Sequence, residues 1–100
     1  MKTREELINL GIDGYKADQI MLLEKKMLEG AMCFQFRKKD GTIRNAVGTL
    51  FRDLMKQPDG TLWEPKGEGK PEPASILRYF DCDKGAWRCF TCTDFIAMEG

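Results

Sequence analysis

Apolar side chains recur at helical spacing through the first thirty residues. Thr3 and Glu6 form a capping-box pair, in which hydroxyl and carboxylate each accept from an otherwise unpaired backbone N–H. A short apolar run follows and stops at Gly11. A second run over about 15–29 repeats close to every 3.6 residues, and Gly30 follows it. The pattern predicts an N-terminal helical segment, 1–30, that contains two helices.

The period changes to two after Gly30. Met32, Phe34 and Phe36 fall on one face of a predicted strand, and Asp40-Gly41 supplies the positive φ of a tight hairpin turn. The return strand is predicted over 42–51. It contains three small residues suited to a bend or a close backbone approach, namely Ala46, Gly48 and Thr49.

The second half of the chain predicts another hairpin. Strands at 76–80 and 86–90 flank a turn at 82–85, and 93–96 is expected to be a short turn or last strand. Between the hairpins, 56–74 is rich in Gly, Pro and charge, which predicts a mobile loop anchored at Leu62 and Trp63. The chain is therefore read as one α+β domain, 1–100, whose small antiparallel barrel of four to five strands covers 31–97.

Composition changes this picture only slightly. The chain has 100 residues, 42% hydrophobic and 32% charged, which is typical of one globular domain. No apolar run is long enough to span a bilayer, and the charged N-terminus is not followed by a signal-type segment. We therefore expect a cytoplasmic protein with no membrane association.

Charge is balanced overall but uneven along the chain. Sixteen basic residues match sixteen acidic ones, which excludes a strongly basic protein. Within 31–57, however, six basic residues stand against two acids. The sequence therefore predicts a local basic face.

The four cysteines raise the question of a metal site. Cys82, Cys89 and Cys92 are closely spaced, but the chain has no His and its one C-x2-C motif is Cys89/Cys92. In a hairpin that turns at 83–85, Cys82 and Cys89 lie roughly 10–13 Å apart. We expect reduced thiols, without metal or redox pairing.

Catalytic patterns are also missing from the sequence. The absence of His removes the commonest general base, and Ser75 is the one serine. Asp81 and Asp83 flank a turn, where acids are favoured for backbone hydrogen bonds. Gly67-x-Gly69 lacks the remainder of a nucleotide-binding motif. We expect a protein that is not an enzyme and that carries no cofactor.

Arginines alternate with aromatic residues on the second predicted hairpin. Arg78-Tyr79-Phe80 lies on its first strand, Trp87-Arg88-Cys89-Phe90 lies on its second, and Arg44 lies on the first hairpin. Guanidinium groups bind phosphate while an aromatic face stacks on a base, which favours an anion-binding site. The competing interpretation places the aromatic residues in the core and pairs the arginines with Asp81 and Asp83.

Turn length decides whether two of these arginines share a ligand. A three-residue turn makes Arg78 and Arg88 diagonal neighbours on one face, whereas a two-residue turn puts them on opposite faces. The sequence leaves this register open. The candidate ligand-binding residues are Arg44, Arg78, Tyr79, Trp87 and Arg88.

Three blocks of sequence carry a family resemblance, at 34–49, 78–81 and 85–90. With them, the chain resembles the small Sm-like/SH3-barrel proteins of Bacteroidetes and their phages, which are grouped as distant relatives of the WYL domain. The resemblance implies an SH3-like barrel after the N-terminal helices. The family's usual Trp-Arg-Ser-Phe stands here as Trp-Arg-Cys-Phe, which implies that Cys89 occupies a position for a small residue.

Function follows from the resemblance only by analogy, since WYL domains are ligand-sensing or nucleic-acid-binding modules. The sequence favours a small binding module, related to phages or mobile elements, for nucleic acid or a phosphorylated ligand. The alternative is a protein–protein adaptor or inhibitor of a host protein, which would dock its partner through the apolar N-terminal helix or an open barrel edge.

Overall fold

Two helices open the chain. The computed structural model describes residues 1–67, 69 and 71–99. Helix α1 spans Arg4–Asn9 and begins with the predicted Thr3–Glu6 capping box, and α2 spans Gly14–Glu29 with Asp13 as its N-cap. The chain leaves α1 through Gly11, whose φ of +88° suits glycine. Neither helix has the length and apolar character needed to cross a bilayer.

Five antiparallel strands follow the helices. Strand β1 spans Ala31–Arg37 and pairs with β2, Ile43–Thr49, across the predicted Asp40-Gly41 turn. Strand β3, Ile76–Asp81, pairs with β4, Ala86–Thr91. A short 3-10 turn then leads into β5, Phe95–Glu99, which pairs with β1 and is therefore the predicted last strand.

The five strands form one sheet in the order β4-β3-β2-β1-β5. This arrangement confirms the predicted α+β fold with N-terminal helices and an Sm-like/SH3-like antiparallel sheet. The sheet is not closed, because β4 and β5 do not pair with each other among the described residues. It is held in the middle by only two residue pairs between β2 and β3, Gly48↔Asp81 and Thr49↔Phe80.

The main core lies between α2 and one face of the sheet. Helix α2 packs against β1, β2 and β5 and buries Ala17, Ile20, Leu23 and Met27. The sheet contributes alternate residues, as a half-buried strand does, and its rings pack edge to face or stacked: Phe34, Phe36, Tyr79, Phe90 and Phe95.

The predicted loop is tied down near both of its ends. Trp63 packs its ring 5.2 Å from that of Trp87 on β4, whereas Leu62 pairs with Lys56 inside the loop itself, in an isolated bridge. Near the other end, Glu72 accepts a hydrogen bond from Lys2 Nζ at 2.8 Å. Positions 68 and 70 of this loop lie outside the described residues. The mobility of 56–74 stays a prediction.

Candidate functional site

The register of the β3–β4 hairpin places Arg78 and Arg88 on opposite faces, a point that the sequence left open. Tyr79 pairs with Arg88, and Arg78 pairs with Cys89, across a four-residue turn at 82–85. Because side chains alternate along a strand, Arg88 shares a face with Tyr79, and Arg78 lies on the other face. Arg78 and Arg88 are therefore not neighbours that can hold one anion.

A basic groove lies on the face that carries Arg88. We use this name for a cleft of about 380 Å³ that the β1–β2 turn, the β3–β4 turn and β4 enclose. Its floor is aromatic, and its rim carries six basic side chains against one carboxylate. The lining residues are Phe36, Arg37, Lys38, Lys39, Arg44, Tyr79, Lys84, Arg88, Cys89, Phe90, Thr91 and Asp94.

Arg44 is already engaged by an internal carboxylate. One guanidinium nitrogen donates to Asp81 Oδ2 at 2.5 Å, and the Asp81 side chain is fully buried. The other carboxylate oxygen of Asp81 accepts from the backbone N–H groups of Asp83 and Lys84 and so orders the β3–β4 turn. Arg44 balances a buried charge that shapes the groove. It is therefore less available to a ligand than the sequence suggested.

Tyr79 has no open ring face on which a base could stack. The residue is 1% exposed, and Phe34, Phe36 and Phe90 surround its ring. Burial, together with the nearby Asp81 carboxylate, raises the pKa of Tyr79 to about 12, although Arg44 and Arg88 act in the opposite direction. Tyr79 thus contributes a neutral floor to the groove.

The remaining cations of the groove differ in how firmly they are held. Lys39 Nζ donates to Thr91 Oγ1 at 2.9 Å and forms an ion pair with Asp94, which draws the β1–β2 turn over the end of β4. Within the described part of the chain, Lys38, Lys84 and Arg88 form no ion pair. These three side chains, together with Arg37, are the ones that can turn toward an anion.

The opposite face of the hairpin carries a second cleft, which we call the tryptophan groove. Its apolar part is formed by Leu50, Trp63 and Trp87, and its volume is about 620 Å³. The Trp87 ring packs edge to face on Phe80 and Trp63 and is 36% exposed. Its polar end is lined by Glu24, Glu72 and Arg78.

The structure thus divides the five predicted residues into two groups. Arg44, Tyr79 and Arg88 line the basic groove, whereas Arg78 and Trp87 line the tryptophan groove. Sequence reasoning missed four basic residues of the first groove: Arg37, Lys38, Lys39 and Lys84. The local basic excess in 31–57 was the available signal for three of them, but the contact of the β1–β2 turn with β4 joins residues more than fifty positions apart.

The cysteines are dispersed in the fold. Cys33 and Cys89 are exposed, Cys82 is half-buried and Cys92 is buried, and all four are free thiols. Burial raises the pKa of the Cys92 thiol to about 11. Over residues 1–67, 69 and 71–99, no three ligand-type side chains are grouped so that they could hold a metal ion.

Comparison with known proteins places this geometry in a family. The profile described as WYL_2, with an Sm-like SH3 beta-barrel fold, matches residues 20–96. The chain belongs to the WYL_2 family. The match includes β1 to β4, the first two residues of β5 and most of α2, so both grooves lie within the WYL_2 part of the chain.

The chain is also similar to a phage protein. The chain is 34% identical over 80 residues to a protein of Enterobacteria phage T4, described as "Uncharacterized 11.5 kDa protein in Gp31-cd intergenic region". The aligned part is 79% of this chain and 76% of the phage protein. No solved structure matches the chain significantly.

Proposed function

We propose that this WYL_2 chain is a small non-enzymatic binding module that holds a phosphate-bearing ligand in the basic groove. Among macromolecules, the phosphate-bearing ligand that we propose is a nucleic-acid strand. The similarity to a phage T4 protein supports a role in a phage or mobile element. The observation that carries the proposal is the gathering of six of the sixteen basic residues around one aromatic-floored cleft, in a chain with no net charge.

The physical case rests on the cations that are not engaged inside the protein. Arg88 offers a planar donor pair suited to bidentate phosphate contact, and Lys38 and Lys84 add point charges from two different turns. The buried Arg44–Asp81 pair fixes the turn that carries Lys84. Rigid placement of the rim lowers the ordering cost of binding.

The size and floor of the groove limit the ligand. A volume of about 380 Å³ lies near the lower end of ordinary ligand sites, which fits one or two phosphate-linked units rather than a long heteroduplex. Phe36 and Phe90 supply an apolar floor, but both are more than nine-tenths buried, so they support a ligand from beneath. The ligand is therefore expected to be held mainly through phosphate.

A salt-dependent titration tests this proposal. Labelled single-stranded and double-stranded oligonucleotides are titrated at several salt concentrations, with pyrophosphate as a competitor. Four available cations predict a slope of about −3 in log affinity against log salt for a single strand. Arg88→Ala should make the slope shallower by roughly 0.7, because one phosphate contact is lost.

Arg78→Ala supplies the matched control. It removes the same charge from the same hairpin, but from the face opposite the groove, so affinity is expected to stay within about twofold. Equal losses of affinity in Arg88→Ala and Arg78→Ala would indicate a diffuse charge effect and would contradict binding in the basic groove. No binding of oligonucleotide or pyrophosphate at low salt would refute the proposal. Turnover of the bound ligand, followed by chromatography, would contradict its non-enzymatic part.

A further inference from the structure

Strand β4 is an uncovered edge of the sheet. It stands at one end of the strand order, and four of its six residues, 86–89, are exposed. The strand at the other end, β5, packs against α2. Exposed edge strands present unpaired backbone groups that a further strand can bind.

Hydrogen bonds around the hairpin show which β4 groups point outward. Arg78 N–H donates away from β4, to Glu72 Oε1 at 2.7 Å, and Cys92 N–H donates to Ser75 O at 2.8 Å. In an antiparallel pair, residues alternate between pointing at their partner and pointing away from it. Cys89, the partner of Arg78, therefore directs its N–H and C=O outward, and so does Trp87 two positions earlier.

These outward groups have no other backbone partner in the described chain. Among the backbone bonds made outside the sheet, none reaches Trp87 or Cys89. Over the described residues, the side-chain hydrogen bond made by β4 lies at its far end, where the Thr91 hydroxyl accepts from Lys39 Nζ. The stretch 86–90 is thus long enough to pair with a short extended peptide.

The two faces beside this edge differ in chemistry. On one face the edge adjoins the basic groove through Arg88, and on the other it adjoins the tryptophan groove through Trp87. Side chains of an added strand alternate between the same two faces. A complementary strand would therefore carry acidic residues at every second position and apolar residues between them.

Two other occupants fit the edge less well. A nucleic-acid backbone has phosphate acceptors for the N–H groups but no regularly spaced donors for the outward carbonyls. A second copy of β4, paired antiparallel, would bring its own Arg88 to the face of the basic groove and add a like charge there. An acidic–apolar peptide satisfies both the hydrogen bonds and the charge.

We propose that β4 binds an extended protein segment of alternating acidic and apolar residues as a sixth strand, with its acids over the basic groove and its apolar side chains in the tryptophan groove. This inference goes beyond phosphate binding and does not depend on it. It gives the adaptor alternative a specific surface, the open edge. The N-terminal helices cannot supply that surface through Leu7, Ile20 or Leu23, because the core buries all three.

The test uses a capped peptide of four Glu-Val repeats and the full chain. Both tryptophans of the protein line the tryptophan groove, so intrinsic fluorescence reports occupancy directly. Amide hydrogen exchange supplies the second reading, since pairing should protect Trp87 and Cys89 by at least tenfold. Control peptides are four Lys-Val repeats and a block peptide with four Glu followed by four Val.

Cys89→Pro provides the sharpest variant. Proline removes the outward N–H but no bond of the β3–β4 ladder, since Cys89 does not donate to β3. Affinity for the Glu-Val peptide should fall about five- to tenfold, the effect of roughly one hydrogen bond. Cys89→Ser is the matched control and should bind as the parent does. A Glu-Val peptide that is N-methylated at alternate residues tests the same bonds without changing the protein.

The binding results distinguish this proposal from phosphate binding and from self-association. Preference for Glu-Val over both control peptides, lost with Cys89→Pro or with N-methylation, supports the proposal even if oligonucleotides do not bind. Equal binding of the block peptide, binding of the Lys-Val peptide, or binding of oligonucleotide alone would overturn it. Dimerisation of the free chain that occludes Trp87 and Cys89 would also overturn it, because a second copy would then occupy the edge.

Discussion

Glycine 48 shows how one residue sets the spacing of the sheet. A Cβ at this position would lie 2.7 Å from the Tyr79 ring and 2.9 Å from the Phe34 ring. Both rings are at most 1% exposed and cannot move aside into solvent. The close packing of the strands over the core therefore depends on a missing side chain, as the small-residue pattern of this strand predicted.

Replacing Gly48 tests this packing. Gly48→Ala should lower the free energy of unfolding by about 1–3 kcal/mol, because an extra methyl group is forced into a filled core. Urea unfolding followed by circular dichroism measures the change. Gly69→Ala is the control, since a Cβ there meets no atom of the described residues within 4 Å. A Gly48→Ala protein as stable as the parent would show that the rings rearrange freely.

At the scale of elements, Lys2 ties the N-terminus to the end of the long loop. Its Nζ contacts Glu72 Oε2 at 2.8 Å and Pro73 O at 3.1 Å, and its backbone N–H donates to Glu24 Oε1 at 3.2 Å. Only 3% of the Lys2 side chain is exposed. One lysine thus links α2, the chain start and the segment before β3.

Removing this lysine should loosen the loop end. Lys2→Ala leaves Glu24 and Glu72 without their shared cation, and we expect a loss of about 1–3 kcal/mol of unfolding free energy. Hydrogen exchange at Arg78, whose N–H is bonded to Glu72, should also rise. Lys25→Ala on the exposed side of α2 is the charge-matched control. If Lys2→Ala has the same unfolding free energy as the parent, the Lys2–Glu72 ion pair does no more than compensate for the desolvation of its two charges.

The elements themselves were predictable from the sequence because their signals are local. The Thr3–Glu6 cap, the period-two runs and the glycines at 41 and 85 each act over a few residues, and the helices and both hairpins lie close to the predicted bounds. The composition of the grooves was less predictable. It depends on the β3–β4 register, which fixes the face of Arg88, and on the long-range Lys39–Asp94 contact, and neither follows from local pattern.

For the molecule as a whole, the carboxylates set opposing dependences of stability on pH. Hydrogen bonds from Thr3, Thr42 and Thr61 lower the pKa of Glu6, Asp40 and Asp59 respectively. Their stabilisation is present above the ordinary pKa and is lost as pH falls through the folded values. Burial raises the pKa of Glu24 above its ordinary 4.5, because the desolvation of the carboxylate outweighs the hydrogen bond from the Lys2 backbone N–H and the Lys2 charge, which both lower it.

Glu24 therefore acts with the reverse sign. The folded state binds the Glu24 proton more readily than the unfolded state does, so the ionised Glu24 destabilises the fold at neutral pH. This destabilisation is relieved as pH falls through the raised pKa toward 4.5. Unfolding free energy, measured in urea from pH 7 to pH 3, should rise on mild acidification and then fall below about pH 4. Glu24→Gln should flatten the rise and leave the fall in place, since the three threonine-bonded carboxylates are untouched. Thr42→Val is the converse variant, because it removes a hydroxyl donor to Asp40 and should weaken only the acidic fall. A Glu24→Gln protein that keeps the full rise would assign that rise to another group.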